Sequence, residues 1–485
     1  MTDLKMGAAS LARMLGEWRA VNGRTPAHRQ LNDILRLLIL DGRLPLGARL
    51  PGERKFGDVL GLSRTTVSAA YAALRAEGYL SSRHGSGSFT CLPQGPWSRA
   101  PVQLDGEGEP GHLEFSVATL PATEHVHAAY AAALAALPAH LPGSGYGAYG
   151  LPELRAVIAD RYERRGVPTS PEQIFVTQGA QHGFALMLGL MARPGDRIAV
   201  DHPTYALALD AIQRASCKAA PMPLSDAGWD PEAMEDVFRR SEPKMAYLQA
   251  DFHNPTGQLM TDEVREAIIR VAARTKTLLV VDETMADLWL DHAPPPPLAG
   301  FDSSDRVVTL GSTSKTFWGG LRIGWVRAGA QIVAGLARVR ASMDLGTPIL
   351  EQLAGSFLLA HPDSILDPRR EALRRRRDHL LRIVAYLLPD WRLSRPAGGL
   401  AVWAELPAPR STILAAAAQA RGLRIAPGTR FGVDGAFERF VRLPFSLPED
   451  KLTQAMHRLT SAWNEIGEVP PRRSRSEISD PRPVI

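Results

Sequence analysis

The chain has 485 residues, 45% of them hydrophobic and 22% charged, with a net charge of +5 and two cysteines. That length exceeds one ordinary domain. The apolar runs are short and interrupted, and the first residues lack a charged-then-apolar leader pattern, so a cytoplasmic protein with no membrane span is expected. Cys91 and Cys217 give neither a disulfide framework nor a metal-ligand spacing, no HExxH pair occurs, and His125-Val126-His127 reads as helix surface, so no metal is expected.

The charge is unevenly divided. Residues 1–92 carry 13 Lys and Arg against 7 Asp and Glu, leaving 43 basic and 44 acidic residues for the remainder. A surplus confined to the first fifth of the chain points to a nucleic-acid partner for that part alone. Here "HRQLNDILRLLILDGRL" spaces Leu31, Ile34, Leu35, Leu38 and Ile39 as one face of a helix that stops at Asp41-Gly42. "KFGDVLGL" and, after a turn, "SRTTVSAAYAALRAEGYL" follow. Ser63 is a natural N-cap, and Val67, Ala70, Tyr71 and Leu74 form a single apolar stripe. That is helix-turn-helix spacing, in which the start of the second helix meets the major groove and Arg64 between hydroxyls can reach base edges and phosphate. "GYLSSRHGSGSFT" reads as a hairpin with Arg83-His84-Gly85 at its tip, which completes a winged helix. The segment "LPLGARLPGERKFGDVLGLSRTTVSAAYAALRAEGYLSSRHGSGSF" resembles the GntR-type winged-helix domain nearly end to end. The resemblance implies that Arg49, Arg54, Ser63, Arg64, Thr65, His84 and Gly85 contact double-stranded DNA. Ser68 departs from it, since some members of that family carry a basic residue there.

These patterns place a DNA-binding domain at residues 25–92, a Pro- and Gly-rich linker at 93–112, a large domain at 113–465 and a disordered tail at 466–485. In the large domain, short runs such as "IFVT", "RIAVD", "AYLQ", "LLVVD" and "RVVTL" alternate with Ala-, Leu- and Arg-rich helical segments, which predicts α/β architecture on a mainly parallel sheet. Several of these runs end in residues with chemistry to offer. "FVTQGAQHGFALML" runs a strand into a helix through Gly179, Ala180 and Gln181, whose N–H groups suit an anionic phosphate. "DFHNPTGQ" sets Asn254 on a rigid turn after a strand, "LLVVDETMADL" ends a strand on Asp282, and "LGSTSKTFWGGLRIGW" places Lys315 just past another.

A lysine, a carboxylate, an asparagine and a phosphate cradle at strand ends suit pyridoxal 5′-phosphate. Its aldehyde needs an amine, its ring nitrogen an acid, its phenolic oxygen a donor, and its phosphate donors plus a cation. The intervals 254 to 282, 282 to 315 and 315 to 322 resemble those of fold-type I aminotransferases. That resemblance implies a Schiff base at Lys315, Asp282 on the ring nitrogen, Asn254 on the ring oxygen and Tyr205 stacked on the ring. It implies further that Ser312, Arg322, Gly179, Ala180 and Gln181 hold the phosphate, that Arg442 in "FVRLPFS" takes the α-carboxylate of an amino acid, and that Tyr146, with Tyr149 as the nearby alternative, reaches the neighbouring subunit's phosphate. Glu283-Thr284-Met285 follows Asp282 where related proteins often carry a tyrosine that bonds the phenolic oxygen.

A GntR-type winged helix joined to a fold-type I aminotransferase-like domain resembles the MocR-type transcriptional regulators. The resemblance implies a homodimer that binds pyridoxal 5′-phosphate, senses an amino acid or amine, and reads paired DNA half-sites. A working aminotransferase carrying a DNA-binding appendage, and a sensor of pyridoxal phosphate itself, are the alternatives.

Overall fold

The computed structural model describes residues 6–15, 26–40, 43–44, 47–83, 87–91, 111–360 and 362–467. His84 and Gly85, most of the expected linker and nearly all of the expected tail therefore lie outside the described residues. The first unit comprises helices α1 (Ala8–Leu15), α2 (Ala27–Leu40), α3 (Glu53–Leu60) and α4 (Arg64–Ala76), then strands β1 (Leu80–Arg83) and β2 (Gly87–Thr90). The two strands pair antiparallel from Leu80↔Thr90 to Arg83↔Gly87. The expected stripe Val67, Ala70, Tyr71 and Leu74 is buried against Leu31, Leu35, Leu38 and Phe56. Helix α1 lies upstream of the boundary expected at residue 25 and adds Leu11 and Leu15 to this same core. Between α3 and α4 the chain reverses at Gly61, at φ 64°. The two helices approach so closely that a Cβ on Gly57 would stand 2.8 Å from the Leu62 carbonyl oxygen.

The second unit begins with β3 (Leu113–Phe115), α5 (His125–Ala136), α6 (Pro152–Arg164), β4 (Ile174–Thr177), α7 (Ala180–Met191), β5 (Arg197–His202) and α8 (Ala206–Arg214). It continues through β6 (Lys218–Ser225), β7 (Gly228–Trp229), α9 (Pro231–Ser241), β8 (Met245–Leu248), α10 (Asp262–Thr275), β9 (Leu278–Asp282), β10 (Val307–Ser312) and β11 (Gly324–Arg327). Then come α11 (Ala330–Arg340), α12 (Ile349–Ala360), α13 (Pro362–Leu387), β12 (Arg392–Leu393), β13 (Ala401–Glu405), α14 (Ser411–Ala420), β14 (Leu423–Pro427), β15 (Phe440–Pro444) and α15 (Glu449–Gly467).

Eight strands form one sheet in the order β4-β11-β10-β9-β8-β5-β6-β7. It is parallel except for β11, which runs antiparallel to both neighbours, and the short β7. Alternation along the strands divides its apolar side chains between two faces. Ile174, Val176, Ala199, Ala246, Leu279 and Val281 join one core, while Phe175, Ile198, Val200, Met245, Tyr247 and Val280 join the other. Five strands, in the order β12-β13-β15-β14-β3, form a second sheet backed by α13, α14 and α15 around a third core. Chain entry into the second unit is thus its edge strand β3, in parallel register Leu113↔Leu423 to Phe115↔Ile425 with β14.

Candidate functional site

Parallel pairing brings the carboxyl ends of β5, β8, β9 and β10 to one edge of the large sheet, with Asp282 opposite Leu310. Asp282 is buried; its Oδ2 accepts from the Tyr247 hydroxyl at 2.6 Å and its Oδ1 from the Thr284 amide at 2.9 Å. Burial, with the Asp282 charge beside it, pushes the Tyr247 phenol well above its ordinary range, so it stays a donor. Three residues past β10, Lys315 is half-buried and donates from Nζ to the Ala118 carbonyl at 2.8 Å. Desolvation, then the Arg442 cation, lowers its ammonium to about 8, against an opposing pull from Asp282. At that value about a tenth of the amine is neutral at pH 7, against about 0.03% for an ordinary lysine, and the neutral form is the nucleophile toward an aldehyde.

Arg442 comes from β15 of the second sheet and is buried. Its Nη1 donates to Asn254 Oδ1 at 3.1 Å, its Nη2 to the Ser116 carbonyl, and its plane lies 4.9 Å from the Phe431 ring centre. Its Nε is buried without a partner. Burial lowers this guanidinium to about 10, so it remains a cation. Tyr205 caps the start of α8; its phenol is raised to about 12 by desolvation and then by Asp282, with Arg442 and Arg322 acting in the opposite sense. Lys315, Asp282, Tyr205, Asn254 and Arg442 are therefore within electrostatic or hydrogen-bonding reach of one another.

Beside them, the turn from β4 into α7 pivots on Gly179 at φ 94°. A Cβ on Gly324, in the neighbouring strand, would meet the Gly179 carbonyl carbon at 2.5 Å, so only glycine lets the two backbones close. Ala180 and Gln181 open α7, where amide N–H groups have no intrahelical acceptor. The Gln181 side chain is occupied with the Leu207 carbonyl at 2.9 Å, which leaves its amide to face an anion. Arg322, at φ 52°, donates from Nη2 to the Gln178 carbonyl at 2.6 Å. Ser312 pairs in register with Gly324, which pairs with Thr177, so its hydroxyl flanks the same turn; it bonds the Ile323 carbonyl at 3.0 Å. Glycine turn, helix-start amides, adjacent guanidinium and half-buried amine fit pyridoxal 5′-phosphate.

Sequence reading missed Tyr247, Gln249 and the carbonyls of Ser116 and Ala118. Gln249 Oε1 accepts from the Asn254 amide at 3.3 Å and steadies that turn. The signal for Tyr247 was a phenol inside the otherwise apolar "MAYL". Met285, in the span where a tyrosine was sought, lines a small pocket with Asn254 and Ala118. Tyr146 is 74% exposed, in a loop whose Gly147 bridges Gly346, and makes no contact with these groups within its own chain.

In the first unit, Ser63 caps α4 by accepting from the Thr66 amide at 3.1 Å, and its hydroxyl also lies 2.8 Å from that of Thr65. Arg64 is 74% exposed and stands 3.7 Å from Glu53. Arg54 is exposed, and Arg49 is half-buried against the Phe89 backbone. Arg49, Arg54, Lys55 and Arg64 border one open groove of about 640 Å³ that Glu53 and Asp58 also line. These cations and the start of α4 thus share a surface, as groove recognition of DNA requires.

Residues 120–459 match the model of the aminotransferase class I and II family, and residues 27–90 match that of the bacterial regulatory proteins of the gntR family. The chain belongs to the aminotransferase class I and II family and joins that domain to a GntR-type helix-turn-helix, the makeup of a transcriptional regulator with a DNA-binding head. Among particular relatives, it is 29% identical to the probable rhizopine catabolism regulatory protein MocR of Rhizobium meliloti, over 84% of this chain and 87% of that one. It is 30% identical to aromatic-amino-acid aminotransferase 1 of Thermococcus litoralis, over 65% of this chain and 78% of that one. The structure of LysN, an alpha-aminoadipate aminotransferase from Thermus thermophilus, superposes with a TM-score of 0.68 at 26% identity, covering 74% of this chain and 93% of that one. Among the described residues, no helix is long and apolar enough to cross a membrane.

Proposed function

We propose that this regulator binds pyridoxal 5′-phosphate at Lys315 and, through it, an amino acid or amine whose carboxylate, where present, docks on Arg442. The observation that carries this reading is the pairing of a lowered amine at Lys315 with a buried, partly unengaged guanidinium at Arg442, across from Asp282. When bound, the cofactor supplies an electrophilic aldehyde and an electron-withdrawing ring. Lys315 presents to that aldehyde an amine whose neutral fraction burial has raised. Asp282, fixed by Tyr247 and Thr284, holds a proton on the ring nitrogen, and Asn254 donates to the ring oxygen while its carbonyl steadies Arg442. Gly179, Ala180, Gln181, Ser312 and Arg322 anchor the phosphate, and Tyr205 covers the ring.

A head-to-tail homodimer belongs to the same proposal. Leu141, Tyr146, Met343 and Leu345 are each about half exposed or more, and Gly147↔Gly346 bridges the two loops that carry them. A partner seated there lets Tyr146 reach the second phosphate. Arg49, Arg54, Ser63, Arg64 and Thr65 contact the DNA, with His84 and Gly85 completing the wing, in the cytoplasm. The test is an absorption spectrum of the purified protein during titration with single amino acids and amines, with promoter-DNA binding followed in parallel. A Schiff-base band that shifts with one ligand and changes DNA affinity supports the reading. A band absent from wild type, or unchanged by Lys315→Ala, removes it; DNA binding that responds only to pyridoxal phosphate favours a sensor of the cofactor.

A further inference from the structure

Residues 111–121 lead from the segment that joins the two units into the second sheet, and cationic side chains hold them at five points. Arg458 Nη1 donates to the Gly111 carbonyl at 2.8 Å, and Arg424 pairs with Glu114 at 3.2 Å. Arg442 Nη2 donates to the Ser116 carbonyl, Lys315 Nζ to the Ala118 carbonyl at 2.8 Å, and Arg369 Nη2 to the Pro121 carbonyl at 2.7 Å. Three of these ties come from side chains with no place in the candidate site. The other two come from its amine and its carboxylate-binding cation, and they grip carbonyls only two residues apart.

Both functional ties are exposed to competition. Nε and Nη2 form one fork of a guanidinium, the geometry that takes both oxygens of a carboxylate. On Arg442 that fork has Nε unpartnered and Nη2 on Ser116, so a carboxylate that fills it displaces the Ser116 carbonyl. At Lys315, the ammonium gives up a proton, the amine and an aldehyde form C=N with release of water, and the donors held by the Ala118 carbonyl are lost.

We propose that residues 116–118 are a ligand-responsive strap: capture of an aldehyde by Lys315 and a carboxylate by Arg442 takes both side chains off the Ser116 and Ala118 carbonyls. The segment then keeps its ties at Gly111, Glu114 and Pro121 and the β3–β14 ladder, and loosens at residues 116–118, directly after the strand that receives the chain from the DNA-binding unit. This rests on the functional reading above, and it adds the route by which an occupied site is felt outside it.

Hydrogen exchange on the full-length protein, read by mass spectrometry over residues 111–121 with residues 245–248 as an internal reference, tests the strap. Pyridoxal 5′-phosphate, which brings an aldehyde but no carboxylate, probes the Lys315 tie, an added α-amino acid probes the Arg442 tie, and the absorption band is recorded on the same samples. The expected result is a band together with an approximately tenfold faster exchange at 116–120, on the order expected for loss of one charge-assisted hydrogen bond. Lys315→Ala and Arg442→Ala each speed exchange there without any probe. Lys315→Arg, which can still donate to Ala118 but does not hold the cofactor covalently, keeps the slow exchange and loses the response. A band that forms with exchange at 116–120 unchanged or slowed overturns the strap and leaves the cofactor reading intact. If no band forms, that reading falls, and unchanged exchange in both alanine variants overturns the strap independently.

Discussion

Raising the pH of the cofactor-free protein tests the environment of Lys315 directly. With its ammonium at about 8 rather than the ordinary 10.5, the neutral fraction climbs from about 9% at pH 7 to about 91% at pH 9 and then levels. At an unperturbed 10.5 the same interval raises a fraction of about 0.03% by roughly a hundredfold, with no levelling. Stopped-flow growth of the Schiff-base band after mixing with pyridoxal 5′-phosphate should therefore accelerate about tenfold between pH 7 and 9 and reach a plateau. Arg442→Met removes a repelling cation and moves the midpoint up; Asp282→Asn removes an attracting anion and moves it down. The same shift enters stability. Between pH 8 and 10.5 the unfolded lysine keeps a proton that the folded one has released, so this group's contribution rises with pH across that window, and its burial cost is fully present below it. A rate that keeps climbing tenfold per pH unit beyond pH 9 refutes the assignment of a lowered amine.

Other outcomes follow from single contacts. Gly324→Ala forces a methyl against the Gly179 backbone at 2.5 Å, so cofactor affinity measured by equilibrium dialysis should fall at least tenfold while the far-ultraviolet circular dichroism is retained. Tyr247→Phe deletes the 2.6 Å bond to Asp282; the visible band of the bound cofactor should shift with the phosphate anchor intact, and an unaltered spectrum would show that Tyr247 does not tune the ring. Ser63→Ala removes the α4 cap and should lower the stability of the DNA-binding unit by about 1 kcal/mol in denaturant unfolding. Arg64→Ala should weaken operator binding and, if the side chain meets phosphate, reduce the salt slope of log affinity by about one.

The DNA-binding core was legible because its periods are regular. The stripe from Val67 to Leu74 and the Ser63 cap can be counted along the chain, and both are present. Helix α1 is only eight residues long, too short for its period to stand out in the sequence, yet Leu11 and Leu15 are sealed once α2 and α3 offer a surface. In the large domain, strand ends were marked by a polar residue after an apolar run, which located Asp282, Asn254 and Lys315. Backbone groups carry no such mark. The carbonyls of Ser116 and Ala118 are common to every residue, and only the path of β3 beside β14 brings them to Arg442 and Lys315. Tyr247 was hidden for a related reason: its partner lies 35 positions away on the next strand, within reach only through the pairing Tyr247↔Val280.

Arg442 belongs to the five-stranded sheet, whereas Asp282 ends a strand of the eight-stranded one and Lys315 and Asn254 follow the carboxyl ends of two others. A ligand whose amine meets the cofactor aldehyde near Lys315 and whose carboxylate rests on Arg442 would span two sheets that, among the described residues, no β-ladder connects. Such a ligand would be a brace between them, and the second sheet is the one whose edge strand, β3, receives the chain from the DNA-binding unit.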